Sequence, residues 1–457
     1  MIQQRFTQAY FVGIGGIGMS ALAQYLHHRG LKVAGYDKTP SDITQMLENK
    51  GMAISFADEL ATLPESFQQA AANTLVIYTP AVPADSKLLA YFAAGGYEMV
   101  KRAKALGYLV AEGQTLAVAG THGKTTTSTM LAHILKQSGL SFTGILGGVS
   151  SNYESNLLLG GHERFVVEAD EFDRSFLQLY PQQAVITSMD PDHLDIYGAP
   201  EQMAEAYHAF AAQVVNGGLL VYKAGLPLRL PAGVKAVSYG EGGEVQAKNV
   251  RVENHRYHFD YQGEQHIDDL ICGLPGIHNV ENAVAAITIA LAQGVAVEVI
   301  REAIASFKGV KRRFEYHIDR ADCVYIDDYA HHPAEIEALV SSVRQLYPGK
   351  KVLGIFQPHL FSRTRDFAEG FAKSLSQLDE LFLLDIYPAR ELPIAGINSA
   401  WLLEQVSATN KRIVQKSELL DLVKASTFDV LLTIGAGDID RFVRPLTEVL
   451  QHKSPVR

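Results

Sequence analysis

Cysteine is nearly absent from this chain: Cys272 and Cys323 are the two thiols among 457 residues. Two thiols cannot build a disulfide framework, so a reducing compartment is the natural expectation. Long hydrophobic runs are missing as well. No stretch approaches the ~18 apolar residues that a membrane helix needs, and no association with a membrane is expected. Positive charge is in deficit, with 40 Lys and Arg against 50 Asp and Glu and a net charge of −10. That balance argues against a nucleic-acid-binding surface, although local basic clusters can still serve small anions. The opening residues, Met1-Ile-Gln-Gln-Arg-Phe-Thr-Gln8, lack the pattern of a signal peptide, and the expected location is cytoplasmic. Internal repeats, low-complexity tracts and long linkers are lacking too. What remains is an ordinary globular composition whose length suggests about three domains at ~150 residues each.

The most informative segment is residues 120–127, Gly-Thr-His-Gly-Lys-Thr-Thr-Thr. It follows a short apolar strand, Thr115-Leu-Ala-Val-Ala119, and opens a helix predicted from about Thr125 through Met130, Leu131, Ile134 and Leu135 to Gly139. A strand that breaks into a glycine turn and enters a helix aims several backbone N–H groups and the positive end of the helix dipole at one spot. Lys124 adds a mobile positive charge, and Thr125 places a hydroxyl where a phosphate-bound Mg²⁺ belongs. The segment therefore reads as a triphosphate cradle for ATP or GTP. It departs from the usual phosphate loop because Val118 stands where the first glycine of G-x-x-x-x-G-K-S/T is expected.

A second glycine motif lies upstream in Ala9-Tyr-Phe-Val-Gly-Ile-Gly-Gly-Ile-Gly-Met-Ser20. Gly13, Gly15 and Gly18 fit G-x-G-x-x-G after a strand, with Gly16 and Ile17 inside the turn. A second strand, Lys32-Val-Ala-Gly-Tyr36, ends at Asp37, as in a dinucleotide-binding fold. Alone, this pattern suggests a nicotinamide dehydrogenase. Its physics, however, is a diphosphate on a helix N-terminus, and a dehydrogenase has no use for a triphosphate cradle.

Two further predicted strands end in carboxylates: Phe165-Val-Val-Glu-Ala-Asp-Glu171, and Ala184-Val-Ile-Thr-Ser-Met-Asp-Pro-Asp-His-Leu-Asp195, which adds His193. Strand C-termini line the ligand crevice of a parallel sheet, so both bursts are expected beside the phosphate loop. Carboxylates there suit Mg²⁺, which prefers hard oxygen ligands; Thr125 and Glu168 are the candidates, and a histidine is an atypical ligand for this ion. Gly276-Ile-His-Asn-Val-Glu-Asn-Ala283 feeds an apolar helix, and its amides suit either an adenine edge or, for Asn279, a helix N-cap. The last segment alternates strand and helix, with polar ends at Tyr329-Ala-His-His-Pro333, Gln357-Pro-His359 with Arg363 and Arg365, Tyr387 and Asp438. Arg363 and Arg365 are able to clamp a carboxylate or a γ-phosphate.

These motifs together resemble the Mur ligases, the ATP-dependent amide-forming enzymes of bacterial cell-wall precursor synthesis, and the resemblance runs the length of the chain. It rests on Gly13-Ile-Gly-Gly-Ile-Gly-Met-Ser20, Gly120-Thr-His-Gly-Lys-Thr-Thr-Thr127, Glu168-Ala-Asp-Glu171, Asp192-His-Leu-Asp195, Asp327-Asp-Tyr-Ala-His-His-Pro333, Phe356-Gln-Pro-His359 with Ser362-Arg-Thr-Arg365, and Gly435-Ala-Gly-Asp438. Within the family the chain looks like the branch that joins L-alanine to UDP-N-acetylmuramate, a step on which cell shape and division depend. The resemblance implies an α/β fold of three domains, each with a largely parallel sheet flanked by helices. These are a Rossmann-like UDP-sugar-binding domain at 1–110, a P-loop-type ATPase centre at 111–314 and a Rossmann-like amino-acid-binding domain at 315–457.

By the same resemblance, Gly13, Gly15, Gly16, Ile17, Gly18 and Asp37 hold the UDP sugar. Gly120, Thr121, His122, Gly123, Lys124, Thr125 and Thr126 hold ATP, with Asn279 and Asn282 on the adenine side and Arg312 reaching the phosphates. Thr125, Glu168 and His193 serve Mg²⁺, while His331, His359 and Arg363 receive the amino acid. Lys124, His193, Arg312, Asp328 and His331 form the catalytic set, with His331 or Asp328 as candidate proton acceptors. Other branches carry a modified lysine shortly after the Asp-His motif, whereas no lysine occurs here between His193 and Lys223. Leu360 stands where some members have a basic residue, which puts more weight on Arg363. UDP-N-acetylmuramate and L-alanine are the expected small-molecule partners, and the expected state is a monomer or homodimer. Three other readings stay open: a recycling ligase that attaches a tripeptide to the same sugar nucleotide, an NAD-dependent oxidoreductase, and a non-catalytic nucleotide-binding regulator.

Overall fold

Short apolar strands alternating with helices build parallel sheets almost throughout this chain. A computed structural model describes residues 2–69, 71–191, 194–389 and 391–451. Contacts group the chain into two compact units: residues 1–248, 260–270 and 281–307, and residues 249–259, 271–280 and 308–457.

In the first unit, β1 (Gln8–Val12) leads through the glycine turn into α1 (Ile17–His28). With β2 (Lys32–Tyr36), β3 (Ala53–Ser55), β4 (Thr74–Tyr78) and β5 (Glu98–Lys101) it forms an all-parallel sheet in the order β3-β2-β1-β4-β5. Every residue of β1 is buried, as expected for a central parallel strand covered on both faces. Tyr10 packs on one side against Phe67 and Phe92, while Phe11 belongs to the core shared with Leu22, Tyr25 and Leu26 of α1. Because β2 and β4 flank β1 on opposite sides, connections leave β1 in both directions and a crevice opens past its C-terminal end.

The second sheet of this unit starts with β6 (Gln114–Ala119), which runs through residues 120–123 into α2 (Lys124–Ser138). It adds β7 (Thr143–Ser150), β8 (Ser155–Leu159), β9 (Arg164–Glu168), β10 (Gln183–Ile186), β11 (Leu219–Lys223) and β12 (Lys235–Tyr239). The order is β12-β11-β10-β6-β9-β7-β8, parallel except for the β7–β8 pair. β6 again lies where the strand order reverses, so residues 120–123 open at the crevice of this sheet. α2 buries Met130, Leu131, Ile134 and Leu135 and stops at Gly139, whose φ of 74° suits a glycine cap. His133 on α2 is buried between Tyr153, whose hydroxyl is 2.7 Å from Nδ1, and Ser306, whose Oγ is 3.1 Å from Nε2. Burial pushes this imidazole down to about 4, so it is neutral at physiological pH.

A buried polar network joins the two sheets of the first unit. Asn156 on β8 donates from Nδ2 to the Ile17 carbonyl at 2.7 Å and to Ser20 Oγ at 2.9 Å, and its Oδ1 accepts from Gln24 Nε2 at 3.0 Å. All three bonds land on α1, so the helix behind the first glycine turn is fixed to the second sheet.

A three-stranded sheet in the order β13-β14-β15 follows, from β13 (Gln246–Glu253), β14 (Arg256–Gln262) and β15 (His266–Cys272). Next comes α3 (Ile277–Ala292). The sheet of the second unit comprises β16 (Glu315–Arg320), β17 (Cys323–Asp328), β18 (Val352–Phe356), β19 (Glu380–Leu383), β20 (Asn410–Ile413) and β21 (Val430–Ile434). Its order is β16-β17-β21-β18-β19-β20, with β16 antiparallel and the rest parallel. Ile434 pairs with Asp328 on one side and Phe356 on the other, so three strand ends that carry polar segments lie side by side. α4 (Pro333–Leu346) follows β17, with His332 as its N-cap and Glu335 completing a capping box.

Replacing Asn156 by Ala removes three buried hydrogen bonds and leaves the Ile17 carbonyl without this donor. The expected loss of stability is about 2 kcal/mol, read as a lower urea midpoint with an unchanged slope. An unchanged midpoint would show that the network does not secure α1.

Candidate active site

The phosphate loop is shaped by side chains from the segment that follows β10. Thr187 Oγ1 donates toward the Ala119 carbonyl at 3.1 Å and also bonds the His122 carbonyl. The His122 N–H donates to Ser188 Oγ at 2.8 Å, and Thr121 Oγ1 donates to the Asp190 carbonyl at 2.8 Å. Gly120 has a φ of 133°, and a Cβ there would fall 2.0 Å from Thr187 Oγ1, so no other residue fits. Asn282 lies with its Oδ1 2.8 Å from where a Cβ of Gly123 would be, which puts the amide of α3 against the loop. Asn279, one turn earlier on α3, donates from Nδ2 to the Pro275 carbonyl at 2.5 Å and lies inside the helix rather than at its cap. Val118 is a paired residue of β6, opposite Glu168 of β9. Its place inside a strand explains why the first loop glycine is not needed.

Lys124 opens α2. Its Nζ donates to the Gly120 carbonyl at 2.6 Å and the Thr121 carbonyl at 3.2 Å and contacts both oxygens of Glu171, at 2.9 and 2.7 Å. Burial disfavours the ammonium, but Glu171, Glu168 and Asp170 outweigh it and hold the amine above its usual range. Burial pushes Glu171 up, and Lys124 opposes that rise. With opposite charges in contact on two oxygens, the ionised pair is the form this geometry favours.

Glu168 is also raised by burial, opposed by Lys124 and by a hydrogen bond from Thr125. Its Oε2 is buried without a hydrogen-bond partner and lies 2.1 Å from where a Cβ of Gly147 would be. An unsatisfied carboxylate oxygen beside a threonine hydroxyl is a donor set that suits Mg²⁺. His193, the other metal candidate, lies outside the described residues.

At the first glycine turn, the N–H groups of Gly13 and Ile14 bond the Tyr36 carbonyl at 2.7 and 3.0 Å, and Gly15 N–H donates to Asp37 Oδ2 at 2.7 Å. Gly16 caps α1, and Ile17 and Gly18 form its first turn. Arg102 was not singled out by the sequence, yet its Nη1 lies 2.8 Å from where a Cβ of Gly18 would be. Its Nη2 donates to Asp170 Oδ2 at 3.0 Å. Its place at a strand-to-helix junction was the available signal.

In the second unit, Arg312 donates from Nε to Asp327 Oδ2 at 3.1 Å and from Nη2 to the Gly435 carbonyl at 2.7 Å. The guanidinium carbons of Arg312 and Arg313 lie 5.2 and 5.3 Å from the Tyr329 ring centre. Asp328 accepts the Phe314 N–H and the Ala330 N–H, each at 2.7 Å and on different oxygens, so it braces the backbone. Burial pushes its carboxyl up to about 6.

His331 Nδ1 is 3.0 Å from the Tyr329 carbonyl and 3.3 Å from a Glu335 oxygen. Two acceptors at Nδ1 put the proton there and leave Nε2 as an acceptor. Burial pushes this ring down to about 4, so it is neutral at physiological pH. His359 faces His331 with ring centres 6.2 Å apart and stacks on Tyr387 at 5.7 Å. Arg363 acts electrostatically on His331 from the short helix Phe361–Asp366. His331, His359 and Arg363, named from sequence, thus gather at adjacent strand ends. Tyr387, named from sequence as a polar strand end, joins them through its stack on His359, and Glu335, unmarked in the sequence, joins through the capping of α4.

Family models match the chain segment by segment. The Mur ligase family catalytic-domain model matches residues 8–114, the Mur ligase middle-domain model residues 118–290, and the Mur ligase glutamate-ligase-domain model residues 312–437. The chain belongs to the Mur ligase family. Among curated Mur ligases, the UDP-N-acetylmuramate–L-alanine ligase of Flavobacterium johnsoniae is 52% identical over 447 residues, covering 98% of each chain. The protein of the same name from Christiangramia forsetii is 49% identical over 446 residues, covering 97% of this chain and 98% of its own. A solved UDP-N-acetylmuramate-alanine ligase from Thermotoga maritima matches with a TM-score of 0.83 at 27% identity, covering 98% of this chain and all of its own. A murein peptide ligase from Psychrobacter arcticus, with a TM-score of 0.69 at 21% identity, shares the Mur ligase fold.

Asp328 gives a pH-dependent test in this Mur ligase. Its folded value of about 6 lies above the ordinary 3.8, so the folded state holds this proton more tightly than the unfolded state. The stability this provides is present below pH 4 and is lost as pH rises through 6. Asp328→Asn is expected to remove that dependence and to destabilise by about 1–3 kcal/mol, since one backbone N–H then meets an amide NH₂. Urea melts of both proteins at pH 4, 5 and 7 check this; a wild-type-to-variant difference that is constant with pH would refute it.

Proposed function

We propose that this Mur ligase joins L-alanine to the lactyl carboxylate of UDP-N-acetylmuramate in the cytoplasm, with cleavage of ATP to ADP and phosphate. The observation that carries this reading is the cradle of residues 120–127, in which Lys124 faces the Glu168–Glu171 carboxylates. Near-full-length curated relatives at about half identity bear the name of this activity. The lactyl carboxylate attacks the γ-phosphorus of ATP, giving an acyl phosphate and ADP. The amine of L-alanine then attacks the acyl carbon, phosphate departs, and the amine gives up a proton. Phosphoryl transfer between anions depends on charge cancellation more than on covalent help, a task suited to Lys124 and Arg312.

Residues 13, 15–18 and 37 would hold the UDP sugar, residues 120–126 with Asn279 and Asn282 the ATP, and His331, His359 and Arg363 the amino acid. Thr125 and Glu168, with His193 as a further candidate, would hold Mg²⁺, which supplies positive charge to the phosphates when bound. Of the two candidate proton acceptors, His331 is favoured over Asp328. Its Nε2 carries a free lone pair in the neutral ring, whereas both Asp328 oxygens already accept backbone N–H groups. The domains are proposed to divide at 110 and 314.

Neither alternative enzyme accounts for as much. The tripeptide-attaching reading shares the phosphate loop, but the near-full-length relatives at about half identity bear the name of the L-alanine ligase. An NAD-dependent oxidoreductase leaves residues 120–127 without a task.

The test is phosphate release from ATP with UDP-N-acetylmuramate plus L-alanine, against the same sugar plus the L-Ala-γ-D-Glu-containing tripeptide, with product mass read alongside. Release that requires L-alanine, with a product heavier by one alanine residue, is expected. Release with the tripeptide alone would reassign the chain to the recycling reaction. Lys124→Ala is expected to abolish turnover, a loss of about 10³-fold or more, while binding of UDP-N-acetylmuramate persists. Loss of that binding in the variant would contradict the division into separate sugar-nucleotide and ATP domains.

A further inference from the structure

The reaction described above gives no task to Glu171, yet this carboxylate is the one that touches Lys124. Both oxygens contact Nζ, at 2.7 and 2.9 Å, and the side chains are 2% and 12% exposed. An ammonium has three N–H bonds. Here they meet the Gly120 carbonyl, the Thr121 carbonyl and Glu171, so a phosphate oxygen gains full access to Nζ when one acceptor lets go. The two carbonyls belong to the loop itself and move only with it. Glu171 lies on a different segment, three residues past Glu168, and is secured from behind by the Tyr197 hydroxyl, which donates to the Glu171 carbonyl at 2.6 Å. Burying a lone carboxylate is strongly unfavourable, so the contact with Lys124 is what makes this position tolerable.

We propose that Glu171 is a positioning residue that competes with nucleotide phosphates for Lys124. Binding exchanges carboxylate for phosphate on the ammonium, and release of ADP returns the ammonium to Glu171. The inference rests on Lys124 being a phosphate ligand, as assigned above. A competitor of this kind weakens product binding and keeps the lysine aimed across the mouth of the loop between turnovers.

Calorimetric titration with Mg²⁺-free ADP tests the idea on four full-length proteins: wild type, Glu171→Gln, Lys124→Met and the double variant. Omitting Mg²⁺ separates the effect from any role of the neighbouring carboxylates in metal binding. Glu171→Gln is expected to tighten ADP roughly tenfold, a typical size for coupling between sites. In the Lys124→Met background the same change is expected to alter ADP affinity less than about twofold, because the shared partner is gone.

Equal tightening in both backgrounds would mean that Glu171 merely repels phosphate through space, and would overturn the proposal. Weaker ADP binding by Glu171→Gln would overturn it as well. The underlying assignment fails separately if Lys124→Met binds ADP as tightly as wild type, since Lys124 is then no phosphate ligand. Should Glu171→Gln not fold, Glu171→Asp draws the carboxylate back by one methylene and is expected to tighten ADP in the same direction. Urea melts followed by circular dichroism report whether each variant is folded.

Discussion

The parallel pairing of β10 with β6 is the constraint on which the glycine turn at 120–123 and the start of α2 depend. It brings Thr187 directly past the end of β6, where one hydroxyl serves the carbonyls on either side of the glycine turn. With those carbonyls engaged, the glycine turn is held against the segment after β10, and α2 begins at Lys124. On the other flank, pairing of β6 with β9 delivers Glu168 and then Glu171 to the same spot. Glu168 is therefore placed by backbone register, and the turn after β9 carries Glu171 on to Lys124.

Much of this was legible in the sequence because the relevant signals are local. A strand, a glycine turn and a helix follow one another within some twenty residues at 9–28 and again at 115–138, and both appear in the structure where spacing put them. The polar ends of the six-stranded sheet of the second unit were equally plain, since each lies immediately after an apolar run. What escaped was contact across sequence distance. Arg102 meets Gly18 through the fold of a whole sheet, and nothing near either residue announces the other. Glu171 was visible as one carboxylate of a burst, but which member touches Lys124 depends on the turn after β9. Asp328 looked like a chemical participant; its two backbone hydrogen bonds, set by the chain path at 314 and 330, make it a brace.

Burial divides the ionisable groups of this chain into two kinds. His133 and His331 are neutral because burial disfavours the imidazolium, and at His331 the Glu335 carboxylate, opposed by Arg363 and Arg313, does not overcome it. Lys124 and Glu171 remain charged because each is the other's counter-ion. Neutral rings suit places that must stay put or accept a proton transiently, while a buried ion pair suits a place where an incoming anion is to displace a resident one.

The contacts of His133 reach further than their position suggests. Its ring is held at both nitrogens, by Tyr153 at Nδ1 and Ser306 at Nε2, nine residues from Lys124. A helix with one side chain fixed at both ends of its ring resists rolling about its own axis. Since 3.6 residues make a turn, a roll of a few tens of degrees at residue 133 would swing the side chain at 124 by the same angle. The neutral imidazole thus acts as a torsional clamp on the aim of Lys124, and the orientation of that side chain is partly decided two and a half turns away from it.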